Sequence, residues 1–198
     1  DHLKMWTINA NWDVPANSNI TVGQTLVTTP FTSVFDGGSF VNLAQPTGGA
    51  SIDALQAIIM NQVQFRKFPS HNSAVLNFVV DADGTSDKLA AVRWYELRQA
   101  GDGLPWSIYQ EGTYNAPNQM HAWNASMGID VQGNIAMGYT GMGGTNNQVV
   151  SSYYTGRYVN DPIGTMTIAE NVIATGNANI PGTRYGDYSQ MSIDPSDD

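Results

Sequence analysis

A short repeat with a fixed spacing narrows the possible folds of this chain more than any other feature. Tyr95–Arg98 reads Tyr-Glu-Leu-Arg, and Tyr154–Arg157, 59 residues further on, reads Tyr-Thr-Gly-Arg. Glu111 and Glu170 keep the same spacing of 59 residues. A period slightly above 50 residues in a strand-rich chain is typical of a propeller blade or a similar β-array. Because one unit of such an array cannot bury both of its faces, we expect neighbouring units to pack on it.

Alternating apolar and polar residues indicate strands in a regular order along the chain. Four strands are predicted within 61–114, and four more within 124–174, with short turns between them. Leu3–Trp12 and Ile20–Thr28 fit the last two strands of an earlier unit, and Tyr188–Asp194 fits the first strand of a later one. The strand order therefore restarts after each set of four.

The sequence predicts an all-β fold made of β-propeller blades of four antiparallel strands, with about two complete blades and a partial blade at each end. Ile52–Met60 is predicted as either a short helix or a loop. Known propellers close with four or more blades. We therefore expect the remainder of the propeller to come from a longer polypeptide or from another chain. The predicted ranges are the end of one blade at 1–34, a second blade at 52–115, a third at 121–176 and the start of a fourth at 184–198.

The sequence repeat also predicts a charged pair within each unit. Arg98 and Glu111 are 13 residues apart, and so are Arg157 and Glu170. Two outer strands joined by a short loop would bring each pair within reach. We therefore expect a cross-strand ion pair that recurs in both units and helps to set the strand register.

Six segments of the sequence resemble the core of a family of large secreted bacterial β-propeller proteins. The resemblance covers most of the chain and is carried by DHLKMW, AAVRWYELRQAG, WSIYQEGTY, GIDVQGNIAMGYT, YYTGRYVNDPIGT and RYGDYSQMSIDPSDD. It implies a multi-bladed propeller that is secreted or displayed at the cell surface. Members of this family are mostly uncharacterised, so the resemblance implies no reaction and no catalytic residue.

The charge and composition exclude several kinds of partner. The net charge is −9, and only 8 of the 198 residues are Lys or Arg, too few to neutralise a phosphate backbone. Nucleic acid is therefore not an expected partner. Since no run of 18 apolar residues occurs, membrane insertion is not expected either. The absence of cysteine from the sequence excludes thiol catalysis and cysteine-ligated zinc.

The candidate ligand site is formed by residues that lead into the first strand of successive blades. That strand lines the channel of a propeller, and the loop before it opens on the face that commonly binds ligands. Aromatic rings stack on sugar or peptide faces, while Arg and Asp orient a ligand by hydrogen bonds. The alternative is that these residues only support the edge of the channel through their packing. Aligning Asp130 with Asp194 brings together His121, Trp123, Asn124, Arg184, Tyr185, Asp187 and Tyr188.

A second candidate site is an acidic loop. Asp81, Asp83 and Asp87 lie around a Gly-containing turn, a pattern similar to the oxygen-rich loops that hold Ca²⁺. An Asx-type turn explains the same residues without a metal. Calcium is the only cofactor that the sequence suggests.

Two classes of function remain open at this point. The sequence has no Gly-x-Ser-x-Gly elbow, no dinucleotide fingerprint and no P-loop. This favours an extracellular module, without catalysis, that binds a glycan or protein ligand or serves as a surface scaffold. The alternative is a carbohydrate-active enzyme, a polysaccharide lyase or glycoside hydrolase, with a tyrosine and His121 at the channel mouth as acid and base.

Overall fold

The computed structural model describes residues 1–35, 41–83 and 87–196. These residues contain fourteen strands and two single-turn 3₁₀ helices, Pro15–Asn17 and Pro117–Gln119, and no α-helix. Neither helix has the length or apolar content needed to cross a membrane. The strands are β1 His2–Met5, β2 Ile8–Asn9, β3 Asn19–Ile20, β4 Gln24–Val27, β5 Val41–Leu43, β6 Ile52–Asp53, β7 Gln64–Lys67, β8 Asn72–Asp81, β9 Ala90–Gln99, β10 Trp106–Tyr114, β11 Met120–Ile129, β12 Ile135–Gly143, β13 Gln148–Arg157 and β14 Ile168–Ala174.

Two four-stranded antiparallel sheets form the body of the molecule. Sheet one consists of β7, β8, β9 and β10, and sheet two of β11, β12, β13 and β14, each with consecutive strands as neighbours. Short turns join most of the strands, because local antiparallel pairing needs only a tight connection. The prediction of an all-β fold with antiparallel four-stranded sheets is confirmed.

Sheet one lies between two other layers, which explains why its central strands are buried on both faces. On one side, β1 pairs with β4, and Leu26 packs with Leu3 and Met5 against sheet one. On the other side, Trp94 of β9 shares a core with Ala122 and other residues of sheet two. Strands β2 and β3 pair with each other and extend the β1–β4 hairpin beyond this stack.

The predicted strand at Tyr188–Asp194 is wrong, because this segment lies across the outer face of sheet two without joining a strand ladder. The Met191 N–H donates to Ser126 Oγ at 2.8 Å. A Cβ added at Gly128 would lie 3.0 Å from Ile193, so glycine in β11 allows this close approach. The backbone of this segment hydrogen-bonds to the side chains of Ser126 and Asn61 and not to the backbone of a strand, so no ladder forms.

The Ile52–Met60 region forms strand β6 followed by a loop, which decides between the two predicted options. Leu55 and Ala57 have φ angles of 49° and 61°, in the left-handed region that interrupts a right-handed helix. The Asp53 carboxylate accepts the Leu55 N–H at 2.8 Å and stabilises this turn. The local hydrogen bond thus competes successfully with helix formation.

The structural repeat differs by one residue from the sequence repeat. Tyr95 is fully buried and stacks on Phe78 with ring centroids 5.8 Å apart. In sheet two, Tyr153 stacks on Tyr139 at 5.6 Å, whereas Tyr154 is 40% exposed. Because successive side chains of a strand point to opposite faces, Tyr153 and not Tyr154 takes the position of Tyr95.

Each stacked pair receives a third ring from the layer before it. Phe31, which follows β4, lies 5.1 Å from Phe78 between ring centroids. Tyr114, at the end of sheet one, lies 5.3 Å from Tyr139 in sheet two. The same three-ring arrangement therefore joins two successive pairs of layers.

The expected ion pairs between Arg98 and Glu111 and between Arg157 and Glu170 are replaced by other contacts. Arg98 Nε donates to Glu96 Oε1 at 2.7 Å, and Glu111 pairs with Arg93. Glu111 lies opposite Tyr95 in the ladder, so it shares a face with Arg93 and not with Arg98.

In sheet two, the Arg157 guanidinium donates to the backbone carbonyls of Asp161, Pro162 and Thr165. Glu170 accepts a hydrogen bond from the Tyr139 hydroxyl. The two arginines that share a sequence spacing therefore have different partners, because the loops after β9 and β13 differ.

The buried tyrosines are expected to make the fold sensitive to alkali. Burial raises the pKa of Tyr95, Tyr114, Tyr139 and Tyr153 above the ordinary value of 10.0. Above pH 10 the unfolded chain loses these protons while the folded chain keeps them. The contribution of these tyrosines to the free energy of unfolding should therefore be constant below pH 10 and then fall by at most about 1.4 kcal/mol per pH unit for each tyrosine.

Urea unfolding between pH 8 and pH 11 measures this slope. Tyr139→Phe should make the slope shallower, since one ionising group is lost from the unfolded chain. The exposed Tyr158, changed to Phe, serves as the matched control and should leave the slope as it is. Equal slopes for the wild type and Tyr139→Phe would contradict the role assigned to Tyr139.

Candidate functional site

Asn124 interrupts β11 and organises the predicted ligand site. The register of β11 against β12 shifts between Trp123 and Ser126. Asn124 has a φ of 48°, a left-handed conformation that Asn adopts more readily than most residues. Its Nδ2 donates to the Tyr185 carbonyl at 2.9 Å and to Asp187 Oδ1 at 3.0 Å. A single side chain therefore joins β11 to the segment that crosses sheet two.

A charged pair lies next to Asn124. Arg184 Nε bonds to Asp187 Oδ2, while the other carboxylate oxygen accepts from Asn124. The hydrogen bond with Asp187 raises the pKa of Arg184, so the guanidinium keeps its charge. Both carboxylate oxygens are thus engaged, which fixes the orientation of the pair.

Two tyrosine rings project from the same turn. Tyr185 is 42% exposed and Tyr188 is 68% exposed. Gly186, with a φ of 81°, lies so close to Thr140 that an added Cβ would be 2.5 Å from its Oγ1. The turn closes with a hydrogen bond from the Ser189 N–H to the Gly186 carbonyl at 3.1 Å. The tight turn holds the backbone against sheet two and leaves both rings accessible.

Trp123 has a packing role. Its side chain is fully buried in a core with Val79 and Met142, and its Nε1 donates to the Tyr185 carbonyl at 3.1 Å. Its ring therefore has no exposed face on which a ligand could stack. Trp123 supports the site from below by holding the Tyr185 backbone.

His121 contacts a different part of the molecule. Its Nδ1 accepts the N–H of Ala90, the first residue of β9, at 3.2 Å. Burial and the nearby Lys88 lower the pKa of His121. The imidazole is therefore neutral at pH 7, with the proton on Nε2. Aligning Asp130 with Asp194 in the sequence placed His121 opposite Tyr185, but in the structure these two residues contact different neighbours.

The structure brings five of the seven predicted residues together around one turn, and we call this set the rim. A groove with a cavity volume of ≈ 370 Å³ lies beside the rim, between sheet two and the segment that crosses it, and Tyr185 forms part of its wall. Aromatic faces, a guanidinium and a carboxylate are side chains that can hold a sugar or a peptide. The rim consists of Asn124, Arg184, Tyr185, Asp187 and Tyr188.

Sequence reasoning missed Asn61, which connects three segments. Its Nδ2 donates to the carbonyls of Ala125, at 3.5 Å, and of Ser189. Asn61, Ala125 and Ser189 are spaced by 64 residues, the same spacing that relates Asp130 to Asp194. Extending that alignment back by one more period would have found Asn61. Three segments separated by this spacing thus meet at Asn61.

The calcium site stays a prediction. Asp81 Oδ1 accepts hydrogen bonds from the N–H groups of Asp83, at 3.4 Å, and Leu89, at 3.2 Å. These bonds are those of an Asx-type turn, which accounts for the position of Asp81 without a metal. The intervening residues 84–86 of this loop lie outside the described part of the chain. Within the described part, no three His, Asp or Glu side chains are grouped in a way that could hold a metal ion.

Comparison with known proteins assigns this chain to no family. No protein-family model, no curated protein sequence and no solved structure matches it. Its function is therefore inferred from the sheets and the rim themselves.

Proposed function

We propose that this chain is a β-propeller module that acts outside the cell, where its rim binds a glycan or protein ligand without catalysis. The packing of successive layers supports the propeller. Sheets one and two have the same meander order, and the same three-ring contact joins each to the layer before it. Three segments spaced by 64 residues meet at Asn61, as successive blades do around a channel. The remainder of the ring would come from the same polypeptide or from another chain.

The observation that carries the binding function is the way in which Asn124 assembles the rim. Its left-handed backbone and two hydrogen bonds hold the Asp187 carboxylate and the Tyr185 backbone in place. The exposed rings of Tyr185 and Tyr188 then stand beside a charged pair whose geometry is already set. Such a site loses little conformational freedom when it binds, which favours affinity.

The contacts of the titratable groups favour binding over the lyase or hydrolase alternative. An acid and a base must both reach the proton that is transferred. Here His121 Nδ1 is occupied by the Ala90 N–H, and both Asp187 oxygens are occupied by Arg184 and Asn124. The hydrogen bonds of both groups therefore hold the structure, and those of Asp187 do so within the rim.

Replacing Tyr188 with alanine tests the rim directly. A glycan array run beside a panel of candidate protein ligands identifies the ligand, and isothermal titration calorimetry measures its affinity. We expect Tyr188→Ala to weaken binding about threefold to tenfold, because one aromatic contact is lost. Its backbone φ of 58° also makes the wild-type tyrosine an uncommon left-handed residue, so Tyr188→Gly is a second variant that removes the ring without strain.

The exposed Tyr158, changed to Ala, is the matched control and should bind as the wild type does. Equal affinities for the wild type and both Tyr188 variants, with unchanged circular dichroism, would refute the rim as the binding site. Turnover of a polysaccharide that is abolished by His121→Ala would favour the enzyme instead.

A further inference from the structure

A second cleft lies at the C-terminal end of β9. It separates the β1–β4 hairpin with its β2–β3 extension, which we call the arm, from the loop between β9 and β10. Its cavity volume is ≈ 650 Å³, within the range of ligand sites. Strand β9 ends at Gln99, which lines this cleft, about 30 Å from its first residue, Ala90. None of the residues that line the cleft belongs to the rim, so the two are separate sites.

The two walls of the cleft differ in chemistry. The arm contributes the hydroxyl and amide groups of Thr7, Asn9 and Thr21, together with the apolar side chains of Met5 and Val22. The opposite wall is apolar and is formed by Leu104, Pro105 and Trp106, and two glutamines lie between the walls. Every residue in the lining is uncharged, although the chain carries a net charge of −9. The lining consists of Met5, Thr7, Asn9, Thr21, Val22, Gln24, Gln99, Gly103, Leu104, Pro105 and Trp106.

Hydrogen bonds hold both walls before any ligand arrives. The Gln24 side chain bonds to both backbone groups of Trp106, accepting its N–H at 2.8 Å and donating to its carbonyl. Gln99 donates to the Leu104 carbonyl and fixes the loop in the same way. Phe65 contacts the Trp106 ring edge-on, with centroids 6.3 Å apart.

The arm has its own fixed geometry. The Thr7 N–H donates to Thr21 Oγ1 at 3.2 Å, and Asn9 Nδ2 donates to Asn19 Oδ1 at 3.0 Å. The polar side chains of this wall are therefore already placed across from Trp106. A ligand that enters the cleft does not have to order it, which lowers the entropic cost of binding.

We propose that this cleft binds a neutral oligosaccharide. A pyranose ring has an apolar C–H face and an edge of hydroxyl groups, which match the apolar wall and the hydroxyl and amide wall. A lining without charge offers no partner to an anionic or cationic ligand, and the chain's net charge of −9 disfavours the approach of anions. The volume accommodates more than one sugar ring. This inference rests on the cleft alone and does not depend on ligand binding at the rim.

Nuclear magnetic resonance on the ¹⁵N-labelled full chain tests the proposal. The probes are the linear hexasaccharides of cellulose, xylan, mannan and laminarin, with an oligogalacturonate and an uncharged peptide for comparison. At least one neutral oligosaccharide should shift the amide signals of Thr7 and Thr21 and the indole signal of Trp106 in a saturable way. The oligogalacturonate and the peptide should leave these signals unchanged.

Two variants separate the loss of a binding contact from the loss of the fold. Trp106→Ala should weaken the binding roughly tenfold or more, because it removes the aromatic surface of the apolar wall. Since Trp106 also packs against the core, Asn9→Ala in the exposed arm is the second variant and should also weaken binding. Trp12→Ala is the control, because Trp12 is 89% exposed in the same arm but does not line the cleft.

Several outcomes would overturn the proposal. They are the absence of a shift with every neutral oligosaccharide, shifts confined to the rim, shifts with the peptide or the oligogalacturonate alone, and full binding by both Trp106→Ala and Asn9→Ala. Because the signals report their location, a failure at the cleft is distinguished from a failure at the rim.

Discussion

Replacing Trp123 with alanine is expected to lower the free energy of unfolding by about 3–5 kcal/mol, the usual cost of deleting a large buried aromatic ring. Trp123 is fully buried among residues from both sheets and from β5 and β6. Its removal would leave a cavity and would also take away the hydrogen bond that holds the Tyr185 carbonyl. Chemical denaturation followed by circular dichroism measures the loss.

The matched control is Trp12→Ala, which removes the same side chain from an exposed position. Its effect should stay within about 0.5 kcal/mol, as for most surface substitutions. A Trp123→Ala protein as stable as the wild type would refute the packing role. If that stable variant also lost ligand binding, Trp123 would belong to the binding surface, as the sequence alone had suggested.

Replacing Glu96 with alanine should destabilise the fold by about 3 kcal/mol, because it leaves a partly buried arginine without its partner. Glu96 is almost completely buried in the middle of β9. Its carboxylate accepts from Ser73 Oγ at 2.8 Å, from Arg98 Nε at 2.7 Å and from Gln110 Nε2. Three polar groups would lose their partner at once, and each unpaired buried group is costly.

Two comparisons make the Glu96 experiment specific. Glu96→Gln keeps the shape and an acceptor oxygen, so it should destabilise less than Glu96→Ala. Lys67→Ala breaks a pair with Asp102 in which both side chains are exposed, and it should change the melting temperature little. If Glu96→Ala and Lys67→Ala had equal effects, the buried network around Glu96 would not stabilise the fold.

Local features of the sequence were sufficient to locate most strands and their order. The apolar runs of β8 and β9 and the turns that follow them depend on neighbouring residues, and antiparallel pairing of consecutive strands needs no long-range information. The segment Tyr188–Asp194 alternates apolar and polar residues over Met191–Asp194, yet it forms no strand. A strand requires a partner at its edge, and here the partners are side chains of the sheet below, which no local pattern reveals.

The repeat illustrates how a single residue changes the meaning of a pattern. The 59-residue spacing aligned Tyr95 with Tyr154, but burial and ring stacking relate Tyr95 to Tyr153. Because side chains alternate between faces with a period of two, a shift by one residue reverses the face. The same reversal explains why Glu111 meets Arg93 and not Arg98.

The sequence identified the residues that form the candidate site, but it predicted their arrangement only in part. Aligning Asp130 with Asp194 correctly grouped Asn124 with Tyr185 and Asp187. The sequence could not predict the register shift at Asn124. At this shift, Trp123 is buried while the adjacent rim stays accessible. The cleft at the C-terminal end of β9 was missed for a related reason. Its walls come from residues about 80 positions apart, such as Gln24 and Trp106, which carry no shared motif.

The order of most strands, their antiparallel pairing and the residues that meet at the rim follow from the chain itself, because they depend on local sequence pattern, turn chemistry and spacing. The face on which each side chain lies, the partner of each charge and the existence of the cleft follow only from packing between layers. Packing acts between residues that are distant in the chain, and the position of one bulge is enough to redirect a side chain from the surface to the core.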